Sequence, residues 1–314
     1  MIDVRGAREA IGGRLLRTPL LSSETLGRTF GGDAFLKAEL LQKTGSFKPR
    51  GVLTKLASLT PEEKARGVIS ASAGNHAAAL AYASALEGVA CLVVMWQGAS
   101  AVKRAAAVGY GAAIDEEAAG PGEVFERLAR LQEETGRVLV HPFDDPLVVA
   151  GQGTVGLEVA EELPDVDVVV VPTGGGGLVA GIASALPRVR VVAVEPEGSA
   201  ALHAGLAAGS SVRVEPVSVA DGLNAPFAGE RCLEVCRRHD VESVLVTEAE
   251  IRTGFRFLYG RAKLAAEPAG AAGVAAVLAG KVRGRRLAVV VSGGNVAPET
   301  ASAILSSDED GHPS

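Results

Sequence analysis

Short apolar runs recur along the chain and alternate with stretches of helical periodicity. Nine runs predict strands: residues 34–38, 68–71, 90–95, 112–114, 138–141, 168–172, 190–195, 243–246 and 287–291. They are rich in valine and show little alternation of apolar with polar positions, the pattern of strands covered on both faces. Between them, residues 75–86, 102–108, 124–134, 178–186 and 251–264 predict helices. Thr60-Pro61-Glu62-Glu63 supplies an N-cap, a proline at the first helical position and a capping-box glutamate. Strand, helix, strand in this rhythm predicts an α/β fold of parallel sheets flanked by helices. The acidic, polar tail 306–314 predicts a frayed or disordered end.

Composition narrows the class. A chain of 314 residues suits two domains or one large one. Its net charge of −6 argues against nucleic-acid binding, which needs a basic surface. At 47% hydrophobic and 22% charged residues, the bulk of the chain is globular. Aromatics are 4%, so the core is built from Ala, Val and Leu. No apolar run approaches the ~18 residues of a membrane span. The start, Met1-Ile2-Asp3-Val4-Arg5-Gly6, lacks the pattern of a secretory signal. Cys91, Cys232 and Cys236 are odd in number and form no Cys-x-x-Cys pair, which argues against a disulfide framework or a zinc site. A cytoplasmic protein with reduced, half-buried thiols is expected.

In such folds ligands bind where strands hand over to helices, and four such loops carry unusual residues. The first is Lys43-Thr44-Gly45-Ser46-Phe47-Lys48-Pro49-Arg50-Gly51. Lys48 is either a surface lysine near a helix start or a Schiff-base former, which needs to be neutral at working pH. The second is Ser70-Ala71-Ser72-Ala73-Gly74-Asn75-His76, which is either an N-cap turn closed by Asn75 or an anion site at a helix N-terminus. The third places Gly174, Gly175, Gly176 and Gly177 between a strand and a helix. Four glycines cost backbone entropy, and a nest of N–H groups around a phosphate explains them better than a plain turn does. Gly175-x-Gly177-x-x-Ala180, with Glu195 ending the next strand, also fits the dinucleotide pattern, so a nicotinamide-dependent oxidoreductase stays open. The fourth is Ser292-Gly293-Gly294-Asn295, read alone as a turn or as a hydroxyl aimed into the same crevice.

Together and in this order, the four loops resemble those of the fold-type II pyridoxal-phosphate enzymes, in the threonine/serine dehydratase and serine racemase group. The resemblance runs from Arg17-Thr18-Pro19-Leu20 to Asn295. It includes Leu36-Lys37-Ala38-Glu39, His141-Pro142-Phe143-Asp144-Asp145-Pro146, Ala150-Gly151-Gln152-Gly153-Thr154, Ala220-Asp221-Gly222 and Glu267-Pro268-Ala269-Gly270-Ala271. It implies the two-domain fold of the tryptophan synthase β-like enzymes, with pyridoxal 5'-phosphate in the cleft between the domains. Lys48 then matches the lysine that carries the cofactor as a Schiff base, and Phe47 the aromatic beside its ring. Asn75 matches the residue at the ring hydroxyl oxygen. Gly174 to Gly177 match the phosphate cup, and Ser292 the hydroxyl at the pyridine nitrogen. Ser72, Asn75 and His76 lie in the loop that meets the substrate carboxylate.

The implied reaction is dehydration and deamination of L-threonine, L-serine or a related β-hydroxy amino acid to a 2-oxo acid and ammonia. The runner-up is a serine racemase-like isomerase. Racemisation needs an acid on each face of the substrate, and position 73, where racemases of the group carry a serine, is alanine here. The acidic start of the group's cation site matches Glu195, but Ser199, Ala200 and Ala201 stand where a second carboxylate is needed, so no metal is assigned. The expected domains are 1–61 with 144–314 for the cofactor and 62–143 as the smaller one. A C-terminal regulatory domain is not expected. The expected partners are an amino-acid substrate and a second copy in a homodimer, with no nucleic acid or membrane. His203, His239 and His312 are read as surface or packing residues. Asp144, Asp145 and Asp221 are either a polar network near the cleft or capping and turn residues.

Overall fold

The computed structural model describes residues 2–72, 74–98, 101–120 and 122–307. Among them ten strands form two sheets. The strands are β1 (Leu20–Ser22), β2 (Asp33–Lys37), β3 (Val68–Ala71), β4 (Cys91–Trp96), β5 (Ala113–Ala118), β6 (Val138–Leu139), β7 (Val168–Pro172), β8 (Arg190–Pro196), β9 (Glu242–Val246) and β10 (Arg286–Val290). The larger sheet runs β1-β2-β10-β7-β8-β9 and the smaller β5-β4-β3-β6. Every pairing is parallel except β1 with β2.

All nine predicted strands are present, most within a residue or two of the predicted ends. The run at 138–141 shrinks to two residues, and that at 112–114 extends to Ala118. The unpredicted β1 is a three-residue edge strand with mostly exposed side chains, too short to show a period. The stretch 251–264 is not one helix. An α-helix over Glu248–Phe257 passes into a π-turn over Leu258–Ala262 and stops at Lys263, whose φ is 59°. Ser306, placed in the frayed tail from sequence, closes the helix Pro298–Ser306; residues 308–314 lie outside those described.

The valine runs do what their pattern predicts. Along β7, Val168 and Val170 enter the core under the helix Pro268–Leu278, and Val169 and Val171 enter the core under the helix Gly177–Ala185. Each such burial is worth about 1.5–3 kcal/mol. A sheet covered on both faces leaves only the strand ends for chemistry.

Behind one of those ends lies a buried ion cluster. Arg50, on the helix Pro49–Ala57, donates to both oxygens of Glu39 at 2.8 Å and to Glu158 at 2.6 and 3.0 Å. Lys37 of β2, fully buried, donates to Thr18 O at 2.6 Å and pairs with Glu158 at 2.7 Å. Burial pushes Glu158 up, but Arg50 and Lys37 outweigh it and hold its carboxyl below the usual range. Arg50 is two residues from Lys48, so the cluster locks the helix that begins just after Lys48 against the helix Pro146–Glu162.

Removing one partner of a buried pair leaves an uncompensated charge, so Arg50→Met should lose about 3–5 kcal/mol at neutral pH in urea unfolding. Glu158 has a depressed folded value, so its stabilisation is present above the ordinary carboxylate range and fades as pH falls through the folded value. The deficit of Arg50→Met should therefore shrink in acid. A deficit that stays constant from pH 7 down to about pH 3, below the ordinary carboxylate range, would contradict this account.

Candidate active site

All ten site residues predicted from sequence line one cavity of about 940 Å³: Phe47, Lys48, Ser72, Asn75, His76, Gly174, Gly175, Gly176, Gly177 and Ser292. It opens at the ends of β3, β7 and β10. The Lys48 segment is tied to the fourth loop by main-chain bonds. Ser46 bridges Gly293, and Phe47 N donates to Ser292 O at 3.2 Å. Pro49 then starts the helix, where its missing N–H costs nothing.

Lys48 is not a surface lysine. Its Nζ donates to Pro142 O at 2.9 Å and lies 5.2 Å from the Phe47 ring centroid. Burial lowers its pKa to about 8, against the opposing pull of Glu267. Removal from water disfavours the ammonium, so near pH 8 half the population is a neutral amine able to attack a carbonyl.

The glycine loop follows β7 and opens the helix Gly177–Ala185. Gly176, at φ 95°, caps that helix in the left-handed region. A Cβ on Gly175 would lie 2.4 Å from the Phe143 ring. The glycines thus answer to packing as well as to a ligand, a requirement the sequence did not disclose. First-turn amides have no partner within their own helix, so the loop offers donors and a positive dipole end to an anion.

The second loop differs from one sequence alternative. Asn75 does not cap the helix Asn75–Glu87; Gly74 occupies that place. Its side chain reaches Glu267 and Asn295 instead. His76 is buried, with Nε2 3.0 Å from Val140 O. A carbonyl only accepts, so Nε2 carries the proton and the unpartnered Nδ1 is an acceptor. Burial first, then the charge of Lys48, pushes its pKa down to about 3. The imidazole is neutral and has no proton to offer a carboxylate. Ser72 Oγ accepts from Gly74 N at 3.2 Å. Ala73 lies outside the described residues.

Glu195 resolves the dinucleotide pattern. It is fully buried, and its oxygens accept from Leu202 N at 2.7 Å and His203 N at 2.8 Å, at the start of the helix Ala201–Ala208. Burial pushes its pKa up to about 7 against those two amides. A carboxylate so enclosed cannot reach a ribose, which removes the residue the dinucleotide reading requires. Asp145 caps the helix Pro146–Glu162 and pairs with Lys55, and Asp144 accepts from Arg231 N. Glu267, Asn295 and Cys232 were not assigned roles from sequence. Cys232 packs behind Gly176, and burial holds its thiol well above the ordinary value. The three cysteines are free and buried.

A family model described as pyridoxal-phosphate dependent enzyme matches residues 12–293. The L-threonine ammonia-lyase of Thermotoga maritima is 44% identical over 300 residues, covering 94% of this chain and 75% of that protein. The catabolic L-threonine dehydratase of Escherichia coli K12 is 38% identical over 303 residues, covering 94% and 92%. Among solved structures, maize serine racemase superposes with a TM-score of 0.91 at 35% identity, covering 95% of this chain and 94% of that one. A T.th. threonine deaminase gives 0.88 at 40% identity, covering 94% and 98%.

Lys48 should titrate as a buried amine. Its reaction with an added aldehyde should speed up about tenfold per pH unit and level off above about pH 8. A rate that keeps climbing to pH 10 would mark an ordinary solvated lysine. Lys48→Arg should abolish the reaction.

Proposed function

This chain belongs to the pyridoxal-phosphate dependent enzymes, and we propose that it is a dehydratase, an ammonia-lyase acting on L-threonine, L-serine or a related β-hydroxy amino acid to release a 2-oxo acid and ammonia. The observation that carries the reading is the half-buried Lys48 amine, its pKa lowered to about 8, in the same cavity as a glycine-opened helix N-terminus. The residues present fit the cofactor: an amine for its aldehyde, a cradle of glycines for its phosphate, and an aromatic ring beside the amine. The names and identities of the threonine-cleaving relatives support the substrate class.

Bound there, pyridoxal phosphate supplies an aldehyde for amino groups and a ring that acidifies the substrate Cα–H. Lys48 would hold the cofactor through its amine, and the same amine would serve as general base for the substrate α proton. The first turn of the helix Gly177–Ala185 would hold the phosphate, with Phe47 and Asn75 as the residues for the ring and its oxygen. Ser292, 4% exposed, would offer a hydroxyl rather than a carboxylate to the ring nitrogen. A hydroxyl cannot hold that nitrogen protonated, which favours elimination over transamination. Ser72 and the main-chain amides at the start of the helix Asn75–Glu87 take the substrate carboxylate. His76 supports that helix from behind through Val140 rather than donating to the substrate.

The racemase alternative draws support from the likeness to maize serine racemase, but alanine at position 73 provides no second proton. The proposed division, 1–61 with 144–314 and 62–143, follows the two sheets, since β3 to β6 fall inside the second range. A homodimer in the cytoplasm completes the proposal; among the described residues no helix is long and apolar enough to cross a membrane.

The test is the visible absorption spectrum of the purified protein before and after L-threonine. A yellow band that changes with threonine, with 2-oxobutyrate formed, is expected. Lys48→Ala should cut turnover by at least about 10²-fold. A band that no β-hydroxy amino acid perturbs would remove the substrate assignment. D-serine formed from L-serine faster than pyruvate would favour the isomerase.

A further inference from the structure

Glu267 takes no part in the reaction proposed, yet it is 3% exposed beside the cavity. Asn75 Nδ2 donates to its Oε1 at 2.7 Å. A carboxylate only accepts, so the Asn75 amide must turn its NH₂ toward Glu267. The other end of that amide is fixed separately. Asn75 Oδ1 accepts from Asn295 Nδ2 at 2.8 Å, and the same nitrogen donates to Thr44 O at 2.7 Å. Both N–H groups of Asn295 are therefore committed, and neither amide can flip without losing bonds. One N–H of Asn75 is left over, on a residue that lines the cavity.

The fourth loop makes room for this arrangement. A Cβ on Gly293 would lie 2.3 Å from Glu267 Oε1 and 3.1 Å from Asn75 Nδ2. Glu267 N donates to Gly293 O at 3.0 Å, which holds the two segments together. Glu267 also precedes the helix Pro268–Leu278, whose N-terminal dipole favours a carboxylate. Its charge opposes the fall in the Lys48 value.

We infer that Glu267 is a positioning residue: it fixes the Asn75 amide as a hydrogen-bond donor toward the cofactor's ring oxygen. The inference rests on the pyridoxal-phosphate reading. It deepens that reading by naming a residue of the cavity wall that acts through Asn75.

The experiment is a double-mutant cycle on the full-length apoprotein, titrated with pyridoxal phosphate. Quenching of Trp96, the single tryptophan and a cavity residue, reports binding. Asn75→Ala and Glu267→Ala should each raise Kd by about tenfold, as for one lost hydrogen bond to a charged group. The double variant should be within about twofold of the weaker single. Losses that multiply to about a hundredfold would overturn the inference. Glu267→Gln keeps shape and an acceptor oxygen, so it covers the case in which Glu267→Ala fails to fold. Its Kd should stay within about threefold of wild type. A tenfold loss of affinity in Glu267→Gln would overturn the inference. A wild-type protein that takes up no pyridoxal phosphate would sink the proposed function along with it; binding with multiplicative losses would sink the inference alone.

Discussion

The site depends on limiting how far water solvates the Lys48 amine. A solvated lysine is an ammonium at any working pH and can neither attack a carbonyl nor take a proton. Desolvation is a penalty, so the surroundings must hold the amine in place while it is paid. The helix after Lys48 is anchored by Arg50 to Glu39 and Glu158. The segment before it is bonded to the fourth loop through Ser46 and Phe47. Among the described residues the amine donates to Pro142 O. Removal from water disfavours its charged form.

Neutrality also explains His76. A cationic imidazole next to Lys48 would repel the ammonium and compete for counter-charge. Buried on Val140 O, it is held as a neutral ring instead. Glu195 shows the same logic with opposite sign. Its carboxyl, enclosed at the end of β8, accepts from two amides at the start of a helix. Close by, Ser199 Oγ donates to Leu223 O. The backbone of Leu223 in turn lies against Gly174.

The strands were legible because burial on both faces writes itself into four consecutive valines, as in β7. The edge strand β1 was not, since three half-exposed residues carry no period. The cavity residues were legible as loops of unusual composition, and the cofactor entered by resemblance. Their partners were not legible. The tautomer of His76 is set by a carbonyl 64 residues away, and the orientation of Asn75 by a carboxylate 192 residues away. A local pattern cannot report such pairings. Glu195 shows the opposite failure: its spacing from the glycines satisfied a dinucleotide pattern that only its burial refutes.

The glycines link these levels. From sequence, four in a row implied a nest for an anion. In the fold, Gly175 is also the space into which the Phe143 ring packs, and Gly293 is the space in which Glu267 meets Asn75. A side chain at Gly175 would displace the ring that follows Pro142, the acceptor of the Lys48 amine. A side chain at Gly293 would part Glu267 from Asn75. Both substitutions would act on the reacting end of the site through a neighbour, without occupying the cavity. Small residues here set the positions of the polar groups, and with them which atoms donate and which accept.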